Sequence, residues 1–190
     1  MSSPSDFSTS GPADEAKGAA TDTPAGLTFR TWRSRDVEAL CRHANDREVW
    51  RGLLDGFPNP YTAGDAERWI ALNHATLTAP QNFAIELDGE AIGGVGFDRR
   101  KDVFAGTAEV GYWVGRAHWG RGIATAAARF ISDYAFGNLP LVRLQAGVFA
   151  NNPASVRVLE KAGFQFEGRL RNAVTKDGET LDLLMYARLR

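Results

Sequence analysis

The chain has 190 residues, of which 44% are hydrophobic and 24% charged, and its 22 basic and 23 acidic side chains leave a formal charge of −1. Such a composition describes one ordinary globular domain with length enough to bury a core, and its charge balance argues against nucleic-acid binding, which draws on a basic face. A single cysteine excludes an internal disulfide framework, three histidines at 43, 74 and 118 show no ligand spacing, and no run of ~18 apolar residues is present to span a membrane. The N-terminus has neither a basic n-region nor an apolar h-region, so a cytoplasmic location is expected.

Residues 1–26 are mostly Ser, Thr, Ala, Gly, Pro and Asp. They cannot bury enough apolar area to offset backbone entropy, which predicts a disordered tail ahead of a domain spanning 27–190. Leu27–Trp32 alternates as a strand. Ser34 is expected to cap a helix whose apolar face is Val37, Leu40, Cys41 and Ala44, with Cys41 in the core. A Gly/Pro-punctuated loop runs from Arg51 to Tyr61. Thr62 and Asp65 then form a capping-box pair ahead of a helix carrying Ala66, Trp69, Ile70 and Asn73.

Phe83–Leu87 and Ala91–Phe97 flank Asp88-Gly89, a strong hairpin signal, and Thr107–Val114 is a further strand. The clearest helix is Gly122–Phe136, with Gly137 at its end. Leu141–Val148 reads as a buried strand. Asn152-Pro153 opens a helix through Val156 and Leu159 that Gly163-Phe164 closes. Phe164–Arg171 and Thr180–Ala187 make a last hairpin through Asp177-Gly178. The order is β-α-α-β-β-β-α-β-α-β-β, seven strands and four helices. The helix between 107–114 and 141–148 predicts a parallel pair there, within an α/β fold whose mixed sheet is mostly antiparallel.

Val110 to Ala124 runs from strand through glycine-rich turn to helix. Gly120 and Gly122 allow close approach of a ligand to the backbone, and unpaired amides at a helix start favour an anion such as phosphate. Arg116 and Arg121 add charge there. A plain glycine-rich turn is the bland alternative. A dinucleotide fingerprint is excluded because Thr125 holds its third glycine position, and no P-loop string occurs.

The string Trp119-Gly120-Arg121-Gly122-Ile123-Ala124 resembles the (Gln/Arg)-x-x-Gly-x-(Gly/Ala) motif of the GNAT superfamily of N-acetyltransferases, departing only at Trp119. "EVGYWVGRAHWGRGIATAA" is similar to the branch that acetylates N-terminal alanines of ribosomal proteins. "NNPASVRVLEKAGFQFEGRLR" and "TFRTWRSRDVEAL" resemble it too, so the likeness covers residues 27–187 in order.

The resemblance implies a GNAT-like sheet splayed between its parallel strands, with acetyl-CoA as co-substrate in the opening. Its pantetheine arm would lie along Trp113 and Val114 and reach Asn152. Its pyrophosphate would lie at Arg116, Trp119, Gly120, Arg121, Gly122, Ile123, Ala124 and Thr125. The Val114 amide would polarise the acetyl carbonyl, Glu109 would act as base through water, and Ser155 would hydrogen-bond the leaving thiolate in place of the family's acid. Tyr112, Tyr134 and Tyr186 are substitutes for that acid. Trp50, Phe57, Tyr61 and Glu109 would meet the acceptor. Each has a plainer reading: a surface carboxylate for Glu109, a helix cap for Asn152, a first-turn serine for Ser155 and core-edge aromatics for the rest. His43 and His74 are expected to be bystanders and His118 a solvent-facing spacer, with phosphate contact as its alternative.

The acceptor implied is a primary amine. A protein N-terminal α-amine leads, with a small molecule (aminoglycoside, polyamine or amino acid) or a non-catalytic acyl-CoA sensor as alternatives. Thioester hydrolysis finds no Ser-His-Asp or Cys-His constellation. A homodimer is compatible with the family; nucleic acid and membrane are not expected as partners.

Overall fold

The computed structural model describes residues 24–74 and 80–190; the expected tail, up to residue 23, lies outside them. Pro24 and Gly26 already belong to the fold: the Leu27 amide donates to the Pro24 carbonyl, and the Asp88 amide to that of Gly26.

Seven strands form one sheet: β1 (Leu27–Arg30), β2 (Asn82–Leu87), β3 (Glu90–Arg99), β4 (Thr107–Val114), β5 (Arg143–Phe149), β6 (Gln165–Lys176) and β7 (Glu179–Leu189), in the order β1-β2-β3-β4-β5-β7-β6. Every neighbouring pair is antiparallel except β4–β5, which is parallel, as the long crossover between them requires. The two tight turns have positive φ at both central residues, Asp88 (50°) with Gly89 (88°) and Asp177 (53°) with Gly178 (79°). Asp-Gly tolerates that conformation and its twist suits a hairpin.

Among the described residues five α-helices cover the sheet, one more than the sequence suggested: α1 (Val37–Ala44), α2 (Arg47–Arg51), α3 (Ala63–His74), α4 (Ile123–Asn138) and α5 (Pro153–Lys161). The extra one, α2, lies just where the loop was expected to begin, and Asp46 caps it by accepting from the Glu48 amide at 2.8 Å. Ser34 is not the cap of α1. The Asp36 carboxylate takes the Arg33 amide at 2.8 Å and is gripped at both oxygens by the Arg30 guanidinium. Gly137 lies inside α4, which closes at Leu139. The other ends match their sequence signals. Thr62 and Asp65 bond reciprocally, Asn152 Oδ1 accepts from the Ser155 amide, and the Phe164 amide returns to the Leu159 carbonyl across Gly163 (φ 89°).

Two cores flank the sheet. One packs α4 and α5 on Phe83, Ile85, Val110, Val114, Leu144 and Val148. The other packs α1 and α3 on Ala84, Ala91 and the partly buried Trp113, around Trp32 and Tyr61. Successive residues of β4 thus look into different cores, so this strand can present one side chain to each face. Among the described residues no helix is long and apolar enough to cross a membrane.

Candidate functional site

The parallel pair β4–β5 is short. It runs Thr107↔Arg143, Ala108↔Leu144 and Glu109↔Gln145, and then stops, although β4 continues to Val114 and β5 to Phe149. Hydrogen bonds from the Gly115 amide to the Ile92 carbonyl and from the Arg100 amide to that of Thr107 fix which residues of β4 bond to β3: the odd-numbered ones. The main-chain groups of Tyr112 and Val114 therefore point into the gap. On β5 the even-numbered residues bond to β7, since the Ala150 amide donates to Asp182 and that of Arg190 to Val142. Gly147 and Phe149 face the gap from that side. Backbone groups in such a position need partners. One is filled internally: the Trp119 indole donates to the Val114 carbonyl at 2.7 Å, leaving the Val114 N–H toward the opening.

At the open end of β4 the chain turns through Gly120 (φ 74°) and Gly122 (φ 75°) into α4. Left-handed backbone at both positions favours glycine, which has no Cβ to strain. The first-turn amides of α4 have no intrahelical acceptors, so the turn presents donors to a cleft of about 330 Å³. Trp119 to Thr125, Trp113 and Val114, and Asn152 and Ser155 all line it, as the sequence reading expected. Arg116 does not. It is exposed and outside the cleft, whereas Arg121 lines it together with Arg157 and Lys161 of α5, which the sequence reading missed. Their i,i+4 spacing on a helix starting with Asn152-Pro153 was the available signal.

Two histidines read as incidental support this turn. His43 Nε2 lies 2.9 Å from Glu90 Oε1, and a Cβ on Gly115 would meet His43 Nδ1 at 2.6 Å, so the turn rests directly on the imidazole. His118 is half-buried at the cleft wall, edge-on to His43 at 5.2 Å and 3.3 Å from Arg121 Nη1. Burial first, then the His43 and Arg121 charges, hold its pKa below the usual imidazole value. His74 is structural, bonded to the Trp32 carbonyl at 2.8 Å.

Of the candidate acids, Tyr112 stands out. Its hydroxyl lies 2.8 Å from Ser155 Oγ, joining the end of β4 to the first turn of α5. Burial pushes its pKa up to about 12, with the Ser155 hydrogen bond pulling the other way. Tyr134 packs on Phe83 and Phe130, and Tyr186 is buried in the core, with a 3.4 Å hydrogen bond to Glu160. Neither lines a cleft.

A second cleft of about 610 Å³ contains Phe57, Tyr61 and Glu109. Phe57 lies tilted against Tyr61 (5.1 Å) and edge-on to Trp113 (5.5 Å). Glu109 sits opposite Asp98 across β3–β4, half-exposed and 3.6 Å from Arg100 Nη1. Trp50 lies outside both clefts, its ring 3.5 Å beneath Lys176 Nζ. The two clefts share Leu53, Tyr112 and Trp113, so they meet where β4 and β5 part.

A sheet opened at its single parallel pair, beside an amide-lined turn and open toward a second cleft, defines a two-ligand transfer scaffold. The acetyltransferase (GNAT) domain model matches residues 26–165. An uncharacterized N-acetyltransferase p20 from Bacillus licheniformis is 33% identical over 168 residues, covering 86% of this chain and 93% of that one. The ribosomal-protein-serine acetyltransferase of Escherichia coli is 32% identical over 107 residues, 56% of this chain and 59% of that one. Among solved structures, Mycobacterium smegmatis RimJ in complex with CoA-disulfide superposes with a TM-score of 0.74 at 28% identity, covering 86% of this chain and 81% of that one. The chain belongs to the GNAT acetyltransferase family, and it is an acyltransferase.

Proposed function

We propose that the protein is an N-acetyltransferase that uses acetyl-CoA and acts on a primary amine, the α-amine of a polypeptide N-terminus. The observation that carries this reading is the meeting of the two clefts at Leu53, Tyr112 and Trp113, beside the unpaired edge of β4. The solved relative with coenzyme A as a disulfide supports the cofactor. So does the fit of this chain's own groups: edge amides for an extended amide-bearing arm, and turn amides with Arg121, Arg157 and Lys161 for phosphates.

Acetyl-CoA, when bound, supplies an acyl group already activated as a thioester. The Val114 N–H offers a donor to a carbonyl oxygen as it gains negative charge, and a preorganised amide costs no reorientation. Burial pushes the Tyr112 pKa up to about 12, so its hydroxyl stays protonated through the neutral range and can donate a hydrogen bond that stabilises a departing thiolate, directly or through Ser155 Oγ. Glu109 lies five residues before Val114, roughly 16 Å along the strand, so a proton leaving the amine reaches it through water. That arrangement suits an α-amine, pKa ~7.7–8.0, better than a lysine at ~10.4, which needs a base in contact. The ribosomal-protein relative agrees with such an acceptor.

The test is thiol release from acetyl-CoA against three sets of amines: peptides with free N-termini, the same peptides N-terminally blocked but retaining lysine, and small amines. Release that requires the free α-amine is expected. Turnover of small amines alone overturns the acceptor class. Cofactor binding without amine-dependent release overturns the enzyme reading in favour of an acyl-CoA sensor.

A further inference from the structure

Lys176 ends β6, at the tip of a hairpin on the far edge of the sheet, yet its side chain is only 4% exposed. Its Nζ donates to Asp55 Oδ1 at 2.6 Å and sits 3.5 Å over the Trp50 ring. The next residue, Asp177, accepts from Arg47 Nη2 at 2.7 Å and lies 3.6 Å from Arg51 Nε. The hairpin tip therefore holds α2 through Arg47, Trp50 and Arg51, and holds the loop beyond it through Asp55. A buried ammonium is costly unless paired, which sets this contact apart from an incidental surface ion pair.

That loop supplies Leu53 to the junction of the two clefts and Phe57 to the acceptor side, where it meets Trp113 edge-on. We infer that Lys176 is a positioning residue for the acceptor: through Trp50 and Asp55 it sets where Leu53 and Phe57 stand at the meeting of the clefts. The glycine turn is carried by α4 and β4, which the hairpin tip does not hold, although Glu48 and Val49 of α2 line the first cleft. The kinetic consequence rests on the transfer reading above; the contact itself does not.

Two variants test it. Lys176→Met keeps an aliphatic stem on Trp50 and removes the ammonium, whereas Asp55→Asn alters an exposed partner and leaves the buried stem in place. Each is expected to raise KM for the amine by about tenfold, with kcat within about twofold. The double variant is no worse than Lys176→Met, and Lys176→Arg restores the amine KM. Hydrogen exchange on the full chain should quicken at residues 52–58 and stay unchanged in α4. Unchanged exchange at 52–58 in both variants overturns the contact as a restraint on the loop. Faster exchange with an unaltered amine KM, or faster exchange spread over the whole sheet, overturns the positioning role. An inactive wild type overturns the transfer reading and leaves the restraint to be decided by exchange alone.

Discussion

The hydroxyls of Tyr112 and Ser155 meet at 2.8 Å, one carried by the open end of β4 and the other by the first turn of α5. The contact crosses the cleft wall at the point where thioester and amine would meet. Tyr112→Phe is therefore expected to lower kcat by about 10²-fold while acetyl-CoA affinity holds. Ser155→Ala should cost less, since the tyrosine keeps its proton. Steady-state kinetics with binding calorimetry measures both, and an unchanged kcat in Tyr112→Phe would assign the pair a purely structural role.

Alkaline stability follows from two tyrosines. Burial raises both Tyr112 and Tyr61 to about 12, from the ordinary 10. Between those values the unfolded chain releases protons that the folded one retains, so this contribution is complete below pH ~10 and is lost as pH climbs toward 12. Thermal melts from pH 9 to 11.5 should show Tm falling, and a Tyr61→Phe/Tyr112→Phe variant should show a shallower slope.

Glu109→Gln is expected to reduce the rate about tenfold at pH 7 without loss of cofactor binding. The deficit should shrink above pH ~8, where an α-amine is already neutral. A pH–rate profile for each form reads this out; equal rates at pH 7 remove Glu109 from the proton path.

Gly122→Val places a β-branched residue at φ 75°, a strain on the order of 1–3 kcal/mol. Cofactor affinity should drop more than tenfold, because the backbone that offers its amides must shift. Calorimetric titration with coenzyme A decides it.

Asp36 lines neither cleft and is 3% exposed, bonded to the Arg30 guanidinium and the Arg33 amide. Removing its carboxylate leaves the Arg33 amide and two Arg30 nitrogens without it while Glu86 still pairs with Arg30 Nε, so Asp36→Ala should cost about 1–3 kcal/mol in urea unfolding.

Features decided within a few residues could be read from the sequence. Asp88-Gly89, Asp177-Gly178, Asn152-Pro153 and the Thr62–Asp65 pair each settle their own backbone, and so does the turn through Gly120 and Gly122. Features decided at a distance could not. Ser34 is a local exception, yielding to Asp36, which the Arg33 amide and Arg30, six residues upstream, bind instead. The five-residue α2 is gripped by Asp177, 130 positions away from Arg47. Arg116 faces solvent while Arg157 and Lys161 reach the cleft, because the path of the turn, not nearness to the motif, decides which cations point inward. Trp50 was an acceptor candidate by its place beside the loop; Lys176, from the far edge of the sheet, claims its ring instead.

The register of the last hairpin slips twice, between Phe166 and Gly168 and again between Leu170 and Val174, where Leu170 faces Leu183 but Val174 faces Leu181. The second slip stores two surplus residues in β6, an even number that leaves inward and outward positions in phase. The last rungs, Thr175↔Thr180 and Lys176↔Glu179, lie beyond that surplus, so the seat of the Lys176 ammonium on Trp50 and Asp55 depends on how two extra residues are absorbed in the middle of an edge strand.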